Sequence, residues 1–173
     1  MMTQIRFPFH CLSLSFGLFL LLAGCKESVS TDSYVYKMGE KVPVGTIVYT
    51  VLDAEWKTDL PSPDGLPQTP KNRFLVIKLA ITNGGGAQAT IPLLTLENPK
   101  KESLLEVSEV KGQPGWLGLI RLVNPAQTEE GTIVFDVPTG AYKLRVTDGK
   151  EPGADTTRLV DIPLALNEPV KTH

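Results

Sequence analysis

Apolar and polar side chains alternate with a period of two along most of the chain from about residue 37 onward, the pattern of half-buried β-strands. The clearest run lies late in the sequence. Ile133, Phe135 and Val137 alternate with Thr132, Val134 and Asp136; beyond a Pro138–Gly140 turn, Tyr142, Leu144 and Val146 alternate with Lys143, Arg145 and Thr147. These two runs predict a hairpin with Phe135 and Tyr142 on its inner face. Arg73 to Thr82 places Leu75, Ile77, Leu79 and Ile81 on one side and Phe74, Val76 and Ala80 on the other, as a central strand would. The segment Gly45 to Lys57 starts with Ile47, Tyr49 and Val51 on one face and then shifts to Leu52, Ala54 and Trp56. A strict period of two cannot make that shift, so one extra residue near Val51–Leu52 predicts a β-bulge or sharp twist.

Asn83 to Gly86 interrupts the pattern as a tight hairpin turn, with Asn83–Gly84 supplying positive φ, before Ala89 to Leu96 resumes it. Arg158 to Leu164 adds a closing strand, and Pro163 predicts that it lies on an edge. Lys101 to Val110 fits a short helix and an alternating strand about equally. Helix signals are otherwise nearly absent. Seven or eight short strands joined by Gly/Pro turns, without a βαβ rhythm, predict an all-β, immunoglobulin-like antiparallel β-sandwich over residues 37–165, followed by a tail at 166–173. Thr58 to Lys71, with Pro61, Pro63, Pro67 and Pro70, is expected as an extended surface loop.

The first 24 residues follow another logic. Arg6 precedes an apolar run from about Phe7 to Leu22, and small residues precede Cys25. This is the pattern of an export signal, removed before the mature protein folds. Some 17 residues at about 1.5 Å each reach about 25 Å, short of a hydrocarbon core of about 30 Å, so a cleaved leader fits better than an anchor helix. The run LLAGC resembles the lipobox of bacterial lipoproteins. That resemblance implies removal of residues 1–24 and attachment of acyl chains such as palmitate to Cys25. Residues 25–36 would then form the lipidated N-terminus and a polar tether. The expected location is exported and membrane-anchored through this lipid. In a two-membrane cell the resemblance to other lipoproteins, with Lys26 and no aspartate after the cysteine, implies the outer membrane facing the periplasm.

Charge and composition narrow the function. Seventeen basic and 19 acidic side chains, without a long run of either sign, exclude nucleic acid as an expected partner. Of two cysteines, Cys11 belongs to the leader and Cys25 to the acyl site, so no disulfide or thiolate metal site is expected.

The order of the pieces resembles a bacterial family of secreted and lipid-anchored proteins with an immunoglobulin-like domain of unknown function, akin to the mycobacterial secreted immunoprotective antigen. The likeness rests on MGEKVPVGTIVYTVLDAEW, NRFLVIKLAITNGG and EGTIVFDVPTGAYKLRV. A Leu-x-Pro-Gly step that usually precedes the closing strands in that family is replaced by Leu122-Val123-Asn124-Pro125-Ala126, and a mid-domain Asp-x-Gly turn by Glu97-Asn98-Pro99. The family carries no shared catalytic motif.

Catalytic constellations are sparse. The mature chain has one histidine, His173 at its very end, which leaves no ready base for a serine nucleophile and no histidine metal site. Asp53 and Glu55 share a strand face and are the carboxylate pair an envelope hydrolase could use, although that face is expected to be solvated. Asp59 and Asp64–Gly65 lack the spacing of a calcium loop, and Gly84–Gly86 lies between strands, where no phosphate loop sits. No metal, cofactor or catalytic residue is expected. Trp56 and Trp116 are expected to pack in the core or at its rim. Gly115 to Val123 (GWLGLIRLV) neither alternates nor looks solvated; it is either a buried crossover or an exposed apolar patch. In the second case Trp116, Leu117, Leu119 and Ile120 would contact a partner, with Arg121 as a polar rim. The reading is a non-catalytic, lipid-anchored module that binds an envelope protein or glycan, with a carboxylate hydrolase and a purely structural envelope protein as alternatives.

Overall fold

The structure is a computed structural model that describes residues 34–150 and 154–164. The leader, Cys25, most of the tether and the tail lie outside the described residues. Eleven strands are present among those described: β1 (Val35–Tyr36), β2 (Val42–Val44), β3 (Ile47–Lys57), β4 (Arg73–Asn83), β5 (Ala89–Ile91), β6 (Thr95–Glu97), β7 (Ser103–Leu105), β8 (Arg121–Val123), β9 (Thr128–Val137), β10 (Tyr142–Thr147) and β11 (Thr157–Ile162). Six have two or three residues and add to the longer strands of the alternating pattern. One sheet has the order β2-β3-β4-β9, the other β1-β11-β10-β6-β7, and β5-β8 form a separate ribbon. Every pairing is antiparallel except β1 with β11. The fold is an all-β, immunoglobulin-like sandwich.

The main core forms where the period-two faces meet. Tyr49, Leu75, Ile77, Leu79, Ile81, Ile133 and Phe135 come from one sheet, Leu96, Leu144, Val146 and Val160 from the other, and all are fully buried. Strand β4 is central, between β3 and β9. One end of its other face is also covered: Phe74 and Val76 join Val134, Leu60 and Val110 in a second, smaller cluster, while Lys78 on the same face is exposed. The bulge in β3 falls where the pattern predicts it. Register shifts between Val51 and Asp53, leaving Leu52 out of the ladder, and Trp56 returns to the core.

Several local expectations are corrected. Strands β9 and β10 do not form a hairpin: β9 pairs with β4, and β10 with β6 and β11, so the Pro138–Gly140 turn carries the chain from one sheet to the other. Alternation fixes which side chains face inward but not which strand lies alongside, so Phe135 and Tyr142 are buried as expected. Asn83–Gly86 is likewise a crossing and not a hairpin turn, since β4 and β5 lie in different sheets and none of these glycines has positive φ. The buried Asn83 side chain holds it: Nδ2 donates to Ala87 O at 2.8 Å and Val123 O at 2.9 Å, and Oδ1 accepts from Gly85 N at 2.8 Å. Val35–Tyr36, placed in the tether by sequence, adds to the sheet by pairing with Leu159 and Val160. That strand makes β11 an inner strand, and Pro163 lies just past its end. The proline-rich loop is pinned by reciprocal Leu60–Gln68 backbone bonds of 3.0 and 2.9 Å, with Leu60 fully buried.

Candidate interaction surface

The segment from Gln113 to Val123 is both crossover and surface. Its first part lies along the outer edge of β9: Thr132 N donates to Gly115 O at 2.8 Å, and Leu117 N to Thr132 O at 3.0 Å. Val107 N donates to Val134 O at 2.8 Å, so two segments occupy hydrogen-bonding positions that an edge strand would otherwise leave open. Gly131 permits the approach. A Cβ there would lie 2.5 Å from a Leu117 methyl and 2.6 Å from Gly115 O.

Trp116 is half-buried against the smaller cluster and Leu117 against the main core, so the indole acts largely as packing. The chain then turns outward, leaving Leu119 52% and Ile120 81% exposed. Strand β8 follows with period two, placing Arg121 and Val123 inside and Leu122 outside. Of the predicted contact residues, the structure therefore presents Leu119 and Ile120 to solvent, leaves Trp116 and Leu117 partly covered, and buries Arg121.

Arg121 is a correction to the polar-rim expectation, and its cause is Glu106. Arg121 Nη2 and Nη1 donate to the two Glu106 carboxylate oxygens, the latter at 3.1 Å, between side chains that are 2% and 0% exposed. Arg121 Nε also donates to Gly118 O at 2.8 Å, and Leu94 N donates to Glu106 Oε2 at 3.1 Å. Glu106 thus joins the segment after β5 to the residue where the apolar loop ends and β8 begins. Burial pushes the Glu106 carboxyl up, while the hydrogen bond and charge of Arg121 and the Leu94 amide act in the opposite sense. Burial also raises the Tyr49 phenol, whose O–H donates to Thr147 O at 2.7 Å.

A cavity of about 140 Å³ lies beneath the apolar loop, bounded by Ile81, Leu117, Ile120, Arg121, Leu122, Val123 and Glu129. Sequence reasoning missed Glu106, Leu122 and Glu129. The alternation in Arg121-Leu122-Val123 was the available signal, since an inward Val123 requires an inward Arg121 and hence a buried acid to meet it. A larger hollow of about 280 Å³ near the start of β10 is lined by Glu97, Asn98, Pro99, Lys101, Ala141, Tyr142, Lys143 and Asp161.

The carboxylates considered for catalysis have these surroundings. Asp53 is exposed and accepts from Ala54 N at 2.9 Å, and Glu55 pairs with Lys57 at 3.2 Å. Asp64 is exposed; hydrogen bonds from Ser62 and the Leu66 amide hold its carboxyl below the usual range. Among the described residues, no three His, Cys, Asp or Glu side chains are grouped to hold a metal ion.

This architecture defines an immunoglobulin-like β-sandwich domain. The family model described as Domain of unknown function (DUF4352) matches residues 36–157, and the chain belongs to that family. No curated protein shows significant sequence similarity to it. Solved structures share the fold. The yjhA protein of Bacillus subtilis is 16% identical with a TM-score of 0.59, over 73% of this chain and 99% of that one. A "putative lipoprotein (ycdA)" from Bacillus subtilis is 18% identical with a TM-score of 0.52, over 70% of this chain and 38% of that one. A functionally unknown protein from Listeria monocytogenes is 7% identical with a TM-score of 0.53, over 76% and 85%.

Proposed function

We propose that the chain is a non-catalytic, lipid-anchored binding module of the cell envelope, and that Leu119, Ile120 and Leu122 form its contact surface for a protein partner. The observation that carries this reading is the exposure of these three apolar side chains on a loop and strand fixed from beneath by Arg121, Val123 and Leu117. Such a surface gains free energy when covered and loses little conformational entropy, because its backbone is already held. The packing of Trp116 favours a protein over a glycan, which would need an open aromatic face. The exposed or paired state of Asp53 and Glu55 favours binding over the hydrolase alternative.

The anchor reading is supported by LLAGC before Lys26 and by the lipoprotein description of the ycdA neighbour. By the same reading the protein faces the periplasm from the outer membrane in a two-membrane cell, and its finer kinship is with the mycobacterial antigen family. Replacing Cys25 with Ala is expected to abolish palmitate labelling and leader removal; normal processing of the variant would refute the anchor. For the surface, a photoreactive residue at position 120 of the full chain in native membranes is expected to give a discrete protein adduct. The same group at exposed Lys41 should give none. Indistinguishable products from the two positions would refute the contact surface.

A further inference from the structure

We propose that the partner segment carries an apolar side chain flanked by a lysine or arginine, with the apolar group packing on the exposed Leu119, Ile120 and Leu122 at the mouth of the cavity and the cation pairing with Glu129. This rests on the binding reading above and adds the chemistry of what is bound. The cavity of about 140 Å³ has a mixed, mainly polar lining, in which Leu117, Ile120 and Leu122 stand beside Arg121 and Glu129, and the apolar surface open to a partner is that of the exposed Leu119, Ile120 and Leu122 side chains at its mouth.

The charge at its rim is negative. Although Arg121 borders the cavity, its guanidinium is engaged by both oxygens of Glu106, so the pair presents no net charge to a visitor. Glu129 is exposed, and among the described residues its carboxylate has neither a hydrogen bond nor an ion pair. Glu130, the next residue on β9, reaches Lys78 only at 4.0 Å between two exposed side chains. Exposed apolar side chains beside a free carboxylate select for a neighbouring cation and penalise an acidic segment or an anionic lipid surface. Glu129 is set by β9 opposite Ile81, so its position is fixed by a sheet strand.

The test uses the full chain in discs of zwitterionic lipid, titrated with short acetylated peptides Lys-Leu-Lys, Glu-Leu-Glu and Lys-Ser-Lys, with empty discs as blank. Lys-Leu-Lys is expected to bind more tightly than either of the others. Glu129→Gln should weaken it by about two- to fivefold and flatten its salt dependence, the range of an exposed ion pair. Ile120→Ser should weaken it by roughly tenfold. Equal binding of Glu-Leu-Glu, equal binding of Lys-Ser-Lys, or indifference to Glu129→Gln would each overturn the proposal. No binding of Lys-Leu-Lys by a protein that still crosslinks a partner from position 120 would overturn the partner chemistry while leaving the contact surface standing.

Discussion

The interior between the two sheets and the segment from Gly115 to Val123 are held by different forces. The interior is aliphatic and aromatic, with Phe135, Ile77, Leu79 and Leu144 fully buried, and which of its strand residues face inward follows period-two alternation apart from the bulge in β3. The segment is held by a backbone strap on β9 and a buried ion pair, and it leaves leucine and isoleucine in water. The difference teaches that exposure here comes from the way the segment is anchored. Its inward side combines the Arg121–Glu106 pair with Leu117 and Val123 and is thereby fixed in place, so its outward side is free to be apolar. Burial of charge contributes little net stability but penalises arrangements that separate the partners, which suits a loop that must be placed accurately.

The contrast can be broken at either side. Phe135→Ala is expected to cost about 3–5 kcal/mol in denaturant titrations, with Thr132→Ala close to neutral, because one is in the core and the other on the opposite face. Comparable losses would shift the register of β9 by one residue. Arg121→Met should cost a similar ~3–5 kcal/mol at neutral pH by stranding the Glu106 carboxylate, whereas Arg121→Met with Glu106→Leu should recover most of it. The pH dependence has a definite sign. Glu106 already titrates above its ordinary value, and removing Arg121 raises it further. The folded single variant therefore binds more protons than its unfolded chain between the unfolded and folded pKa values, and its stability falls as pH rises through that window. Its deficit should shrink in acid and grow toward neutrality; a deficit independent of pH would remove the stranded carboxylate as the cause.

Gly131→Ala is expected to cost about 1–3 kcal/mol by forcing the strap away from β9, and amide exchange at Leu117 should quicken. A smaller change is expected at Ala126, which has φ of 58° while its N–H donates to Asn83 O at 2.8 Å. Ala126→Gly should therefore stabilise the fold by about 0.5–1 kcal/mol, left-handed strain relief outweighing the added freedom of the unfolded chain. A destabilising Ala126→Gly would mean that the turn is not strained.

Much of the fold was legible because alternation reports burial directly. The inward residues of β4, β9 and β10 and the bulge at Leu52 followed from spacing. Sheet partnership did not, since Pro138–Gly140 and Asn83–Gly86 have the composition of hairpin turns but serve as crossings between sheets. The interaction surface was legible in half: GWLGLIRLV marked the right segment, while the inward turn of Arg121 depended on Glu106, fifteen residues earlier and without a sequence signal that joins them. Glu129 stood in a polar run, Thr128 to Glu130, that carries no sign of the cavity beside it.

The most direct test of the account is to measure melting temperature and partner crosslinking together for Ile120→Ser in the full chain. The account predicts an essentially unchanged melting temperature, the stability change staying within the roughly ±0.5 kcal/mol of an ordinary surface substitution, and loss of the adduct formed by the wild type from a photoreactive group at the neighbouring position 119. A marked fall in melting temperature with the adduct retained would show that Ile120 supports the fold and that the contact surface lies elsewhere.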